Sequence, residues 1–565
     1  MQASTPRVKF LVAWALMLAL KLAFATSMPL FGDEAFYAWA ALHPAWAYSD
    51  LPGGTAGLIG LGTALLGDSY LGVRIGSVAV GAALPWLVIR LARRVAEAGG
   101  GDPDNAWRAG LWSLPIPLLL PLGVLALPDA LLTFAALLAL DACAGLLQHD
   151  LRHRESAWRA ALRGDATLHL QLAVALALGA LAHYRFGPLI VVGAIAFLAC
   201  GGLRHWRSPG LWLALILGAL AWLPLVHFNL GVDSAGLRFQ LVERHPWQFH
   251  AEGLGQPLLQ AIITTPLLYA LMLWALISSA GSRGSRTGDA RASDDGHGAL
   301  PVLRFLAFAG LGLWLFYALL APFVDRARFS LHWPLPAYLV AAALLPTALD
   351  ASRGLARRLA PWAAALAWAA TALIAALMAV PASPQLAARS AGTAIHPDNF
   401  LGWREIAAAV GPRIGPGDAL VADHFMLAAQ LSFELDRRPD VFVLDHWNNT
   451  KHGRAAQLAL WGYDEAGIAG IAPGTRAWIA FEVGETPERD RAEWVARVCR
   501  WFEDVRFVEA VDGPGGGKRF WLYRGVRAGV TRREADAGVA EAAGCGASLP
   551  LDADAAARVG APAQR

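Results

Sequence analysis

About eleven apolar stretches divide most of the chain, at residues 10–28, 71–91, 109–127, 130–147, 168–182, 187–202, 211–228, 257–279, 303–323, 334–349 and 361–380. A run of ~20 apolar residues crosses a bilayer as a helix. In lipid every backbone N–H and C=O must be satisfied within the spanning segment, so such runs leave little choice but a helical bundle. The sequence therefore predicts a mainly α, polytopic membrane protein. The first run follows Arg7 and Lys9, as the apolar core of a signal peptide would. It is read as a retained span, because the polar segment after it is short and further spans follow. Residues 58–66 are apolar but too short to span, and are placed in the interface.

Composition agrees. Of 565 residues, 56% are hydrophobic and 16% charged, against about 25% charged in soluble domains. A net charge of +3 without a basic aromatic stripe excludes a nucleic-acid partner. The loops after the even-numbered spans hold Arg93 and Arg94; Arg152, Arg154, Arg159 and Arg163; Arg204 and Arg207; Arg283, Arg286 and Arg291; and Arg353, Arg357 and Arg358. The positive-inside rule puts these loops and the N-terminus in the cytoplasm. The unusual polar motifs then gather on the outer face. They are residues 31–50, the Pro128-Asp129 tip, the joint His183-Tyr184-Arg185-Phe186, residues 229–256, residues 325–332 and everything after about 381.

Three domains follow: a transmembrane domain at 1–383, an extracytoplasmic α/β domain at 384–526 and a disordered tail at 527–565. Within the α/β domain, helices are expected at 403–410 and 426–435. Strands are expected at 419–421, 441–444 and 477–481, with a closing hairpin over 505–523. The run Gly513–Lys518, GPGGGK, lacks the Lys-Ser/Thr end and following helix of a phosphate loop, and is read as the hairpin turn. Cys143, Cys200, Cys499 and Cys545 are scattered with no CxxC, so neither a zinc site nor a disulfide framework is indicated. His424, His446 and His452 lack metal-ligand spacing and are assigned to loops or the surface. No dedicated metal motif is present, and a divalent cation is left open as a cofactor.

The stretch FGDEAFYAWAALHPAWAYSD, residues 31–50, sets Asp33 and Glu34 among Phe31, Phe36, Tyr37, Trp39, Trp46 and Tyr48. Carboxylates held close to lipid are costly and ordinarily have a job or a partner. The plainer alternative is an interfacial loop with an aromatic belt and two solvated acids.

Four motifs now stand in order: Gly32-Asp33-Glu34-x-x-Tyr37 after the first span, Pro128-Asp129-Ala130 before the fourth, His332-Trp333-Pro334-x-Pro336-Ala337-Tyr338 at a late span, and Gly402-Trp403-Arg404-Glu405 opening the outer domain. Together they resemble the bacterial branch of glycosyltransferase family 39, similar to dolichyl-phosphate-mannose protein mannosyltransferases and lipid A aminoarabinose transferases, with the GT-C membrane fold. The resemblance covers residues 10–523. It implies a polyprenyl-phosphate-sugar donor and inverting transfer to a glycan, lipid or protein acceptor outside a bacterial plasma membrane. It makes Asp33 the catalytic acidic residue and Glu34 its companion. Asp129 becomes the second-loop Asp, and His332 and Trp333 the late-loop pair. The chain departs from the pattern at Asp50-Leu51-Pro52-Gly53-Gly54, where a His and a Pro are replaced and two glycines are expected to loosen the backbone. It departs again at Tyr184-Arg185, where a Lys-Tyr order is expected.

A lipid phosphate is already a good leaving group, so transfer needs one base and positive charge on the departing phosphate. Asp33 is the expected base, with Glu34 beside it. Phosphate and substrate contacts are expected from Asp129, Arg185, Arg326, Arg328, His332 and Tyr37. For Asp129 the alternative is a helix N-cap. For Arg326 and Arg328 it is snorkelling to headgroups. Arg238 and Arg244 are read as solvated charges of the long outer loop, with a place facing the site as the alternative. Two other classes compete with an enzyme. A transporter or flippase of lipid-linked sugars calls for mid-span charges and repeats; few charges fall mid-span apart from Asp141, and no repeat is evident. A noncatalytic scaffold leaves the setting of Asp33 and Glu34 unexplained.

Overall fold

The computed structural model describes residues 5–99, 101–152, 158–245, 247–282, 299–325, 329–437, 439–529 and 545. Arg326 and Arg328, residues 283–298 and nearly all of the C-terminal tail lie outside the described residues. The chain divides into two compact units. One comprises Met1–Ser27 and Pro44–Met378, the other Met28–His43 and Ala379–Arg565.

The first unit is helical. Seven of its helices are long and apolar enough to cross a membrane: Pro6–Ser27, Tyr70–Ala98, Pro128–Gln148, Asp165–Ala182, Pro209–Gly231, Leu300–Phe323 and Leu355–Ala382. Gly54–Leu66, Phe186–Ala199 and Leu335–Asp350 are shorter apolar helices. The expected eighth span is a pair, Ala251–Thr264 and Pro266–Ala280, bent by 112°. Pro266 cannot donate an N–H and pushes its predecessor out of helical geometry; Thr265 takes φ 72° at the break. The expected third span is interrupted in the same way. Helix Asp104–Ser113 stops before Pro115 and Pro117, and only the short turn Leu119–Leu122 follows.

Helix Leu335–Asp350 is buried along almost its whole length. It contacts Tyr70–Gly99, Asp104–Ser113, Pro266–Ala280 and Ala299–Leu320, which explains why it is apolar on every face. The mid-span charge Asp141 is fully buried and paired with Arg90 and Arg94, and Gln171 Nε2 donates to it at 2.8 Å. Those partners account for a carboxylate at that depth.

The second unit is built on a five-stranded sheet: β1 Ala419–Ala422, β2 Val441–Val443, β3 Arg476–Glu482, β4 Phe502–Asp512 and β5 Arg519–Arg527. The order is β2-β1-β3-β5-β4, with β2-β1-β3 parallel and the β3-β5-β4 side antiparallel. The hairpin turns through a 3-10 turn at Pro514–Gly516, as the sequence suggests. A helix the sequence did not announce, Arg491–Trp501, runs into β4. Cys499 is bonded to Cys545, against the expectation of no disulfide. The partners are 46 residues apart, a spacing that carries no motif. Cys545 O also accepts Val505 N–H at 2.7 Å, so this one described residue beyond 529 is fixed to the sheet.

Residues 28–43 belong to this unit. Helix Gly32–Ala40 packs on helix Phe425–Glu434. Phe36 meets Phe425 with ring centroids 5.6 Å apart, and Gln430 Nε2 donates to Leu30 O at 2.9 Å.

Candidate active site

Asp33 and Glu34 occupy the first turn of helix Gly32–Ala40, where carboxylates meet the positive end of the helix dipole. They do different jobs. Glu34 is fully buried, and its Oε2 accepts Phe31 N–H at 2.9 Å, closing the helix N-terminus. Asp33 Oδ1 accepts from Arg454 Nη2 at 2.8 Å. The Asp33 side chain stays 30% exposed, while that of Arg454 is 3% exposed. The guanidinium packs against two rings, 4.2 Å from the Phe36 centroid and 4.3 Å from that of Phe425, with Tyr37 at 5.5 Å. Arg454 is 421 residues from Asp33 in the chain, and no local motif marks it.

Asp129, Arg185 and His332 come together in the helical unit. Asp129 sits in the first turn of Pro128–Arg152. Its Oδ1 accepts from Arg185 Nη2 at 2.6 Å, and its Oδ2 lies 2.9 Å from His332 Nε2. It is thus a bridge between two basic groups. Arg185 stacks over Trp333 at 4.6 Å, and its backbone N–H donates to His183 Nδ1 at 3.0 Å. His183 is buried beside Arg185, and burial with that cation holds its imidazole well below the usual range. Arg185 Nη1 and Trp333 Nε1 are both buried and have no hydrogen-bond partner among the described residues. Buried N–H donors of this kind suit an anion. Arg238 is an exposed partner of Glu243. Arg244 does not stay in solvent. It lies 5.9 Å from the Trp333 ring, and the His245 ring centroid is 6.2 Å from that of Trp333.

The same unit holds an apolar cavity of about 160 Å³, lined by Leu140, Leu172, Leu176, Phe186, Leu189 and Leu313 among others. Phe186 directly follows Arg185 in the chain. At the Leu51–Gly54 departure the backbone is tight rather than loose. Gly53 N–H donates to Trp46 O at 2.8 Å. A Cβ on Gly53 would meet Ala45 O at 2.2 Å, and one on Gly54 would meet Leu181 O at 2.5 Å. These glycines are needed for close approach.

His424 and His446 are buried, not surface residues. Each follows a parallel strand, β1 and β2, and caps the next helix through Nδ1. His424 Nε2 lies 3.1 Å from Glu482 Oε2, and Lys518 pairs with the other Glu482 oxygen. Asp423 Oδ2 accepts Glu482 N–H at 2.8 Å, while its Oδ1 has no hydrogen-bond partner among the described residues. Burial pushes Asp423 up to about 7. Burial works against the His424 cation, but the Asp423 and Glu482 carboxylates outweigh it and raise that imidazole. Burial takes His446 down to about 3. No group of three or more metal-ligating side chains is placed to hold an ion among the described residues.

No protein-family profile matches the chain, and no curated protein matches it in sequence. The architecture is that of the GT-C membrane glycosyltransferases: a polytopic helical unit with a small α/β unit. The crystal structure of ArnT, a lipid A aminoarabinose transferase, from Cupriavidus metallidurans in the apo state superposes with a TM-score of 0.61. Identity is 12%, over 91% of this chain and 97% of that one. The same protein bound to undecaprenyl phosphate gives a TM-score of 0.59 and 14% identity at the same coverage. At these identities the likeness is one of fold.

Proposed function

We propose that this protein is an integral membrane glycosyltransferase. It moves a sugar from a polyprenyl-phosphate donor to an acceptor at the outer face of a bacterial plasma membrane, with inversion. The observation that carries the reading is the Asp129–Arg185–His332 cluster, where Arg185 Nη1 and Trp333 Nε1 are buried donors with no hydrogen-bond partner among the described residues. A phosphate supplies the missing acceptor oxygens. The apolar cavity lined by Phe186 and Leu189 suits part of a prenyl chain, and an ArnT of the same fold binds undecaprenyl phosphate.

The roles follow from charge. Asp33 takes the proton from the acceptor's hydroxyl or amine. The acceptor atom bonds to the anomeric carbon as the bond from that carbon to the phosphate oxygen breaks. The electron pair leaves with the lipid phosphate, whose added negative charge Arg185 stabilises. Asp129 and the ring of Trp333 fix the guanidinium. The Arg-rich loops support an N-terminus in the cytoplasm. The Cys499–Cys545 disulfide supports an oxidising, extracytoplasmic compartment for the α/β unit.

The test uses purified full-length protein in nanodiscs, a set of polyprenyl-phosphate sugars and membrane extract as acceptor source. Release of lipid phosphate is counted for wild type and Asp33→Asn. Release that needs both acceptor and Asp33 is expected. Absence of release with every donor, from folded protein, moves the assignment to a transporter or scaffold.

A further inference from the structure

We infer that Arg454 is a positioning residue for Asp33: its guanidinium orients the carboxylate and keeps it anionic for proton abstraction. The inference rests on the reading of Asp33 as the base.

An ordinary surface ion pair joins two mobile side chains and contributes little. This pair is different at the arginine end. The guanidinium packs against both Phe36 and Phe425, 4.2 and 4.3 Å from their centroids, in the angle of two rings set edge to face at 5.6 Å. The rings therefore hold its place together with the carboxylate. Its backbone is fixed too, since Arg454 N–H donates to Asn449 O at 2.8 Å. The Asn449 side chain accepts Phe425 N–H at 2.8 Å and donates to Leu444 O at 3.0 Å. Phe425, Asn449 and Arg454 thus form one block at the end of β2. Phe36 lies three residues after Asp33, so the block engages the Asp33 helix at the ring and at the carboxylate.

The two ends of the pair differ in exposure. Here Arg454 is buried and the Asp33 side chain keeps 30% exposure, so the carboxylate is the end a substrate can reach. Aromatic surroundings favour a neutral carboxylic acid, whereas a base must be ionised before it can accept a proton. A cation held by rings meets that requirement without depending on substrate. The other titratable groups around the pair are Glu34, which closes its own helix, Tyr37, and His452, whose ring is 5.3 Å from Phe425.

The experiment uses full-length protein in nanodiscs with a donor that wild type turns over. Arg454→Gln is expected to lower kcat by about 100-fold with little change in donor KM, and to move the acidic limb of the pH–rate profile to higher pH. Arg454→Lys is expected to keep that limb in place while losing about tenfold in kcat, because an ammonium is a point charge without the planar fork that packs on the rings and aims at the carboxylate. Asp33→Asn combined with Arg454→Gln should be no slower than Asp33→Asn alone. An unmoved acidic limb in Arg454→Gln, or losses that add in the double variant, reduces the pair to a structural tie and overturns the inference. A faster Arg454→Gln overturns it as well. Should Arg454→Gln fail to fold, a wild-type kcat in Arg454→Lys overturns it. Full transfer by Asp33→Asn sinks the reading of Asp33 as base, a result separate from all of these.

Discussion

Asp129 shows how one side chain can settle what two others do. Pinned at 2.6 and 2.9 Å to Arg185 and His332, it occupies Arg185 Nη2, while Arg185 Nη1 and Trp333 Nε1 have no hydrogen-bond partner among the described residues. Trp333→Phe keeps a ring under the guanidinium and deletes one donor. We expect donor KM to rise about tenfold, the worth of one hydrogen bond to a charged group, with kcat nearly unchanged, as read in the lipid-phosphate release assay. An unchanged KM would place the phosphate elsewhere. Each of Asp129, Arg185 and His332 is visible in the sequence as a polar residue at a span end. Their convergence is not, because it depends on helix packing across the bundle. Arg454 gives no sequence signal at all, since an Arg before Ala-Ala-Gln looks like any solvated charge until Phe36 and Phe425 close on it.

At the scale of elements, the apolar period is a good guide to which segments are helical and a poor one to where they bend. The seven long helices fall where ~20-residue apolar runs predict them. The two that differ do so at prolines: 115 and 117 in one, 266 in the other. Pro-Gly at 52–53 misleads in the opposite sense. Glycine permits flexibility in a free chain, but at residues 53 and 54 it permits contact. Gly54→Ala puts a Cβ 2.5 Å from the carbonyl of Leu181, a backbone atom that cannot swing aside. We expect a loss of roughly 1–3 kcal/mol, the usual cost of overpacking, seen as a lower thermal midpoint in detergent. Gly57→Ala on the same helix, where a Cβ meets nothing within 4 Å, should leave the midpoint in place. Equal midpoints for the two variants would show that the close approach at residue 54 does not constrain the fold.

The whole molecule inherits a pH response from the carboxyl ends of its parallel strands. Asp423, at about 7 when folded against an ordinary 3.8, holds its proton in the folded state over that window. It adds stability at low pH that is lost as pH rises through about 7. His424, raised above 6.5, adds stability that is present below 6.5 and lost as pH climbs through its folded value. His446, held near 3, works in the opposite sense, but its effect is complete once the unfolded imidazole has deprotonated, at about 6.5. The thermal midpoint of the α/β unit in the full-length protein should therefore fall as pH rises from ~6.5 through the folded values of Asp423 and His424. Asp423→Asn should flatten that fall. A midpoint rising over this range would contradict the assignment of the buried cluster.

The division of the chain into units has a consequence for its birth. Residues 28–43 leave the ribosome early, yet the helix they form packs against a unit that starts at residue 379. Nascent chains emerge at about 5–20 residues per second, so this segment waits many seconds for its partner. Throughout that interval Asp33 has no Arg454 to meet. If Asp33 needs that cation to act, transfer is silent by construction until translation is well into the final third of the chain. A chain that stalls before residue 454 can insert its helices but cannot complete the Asp33 pair.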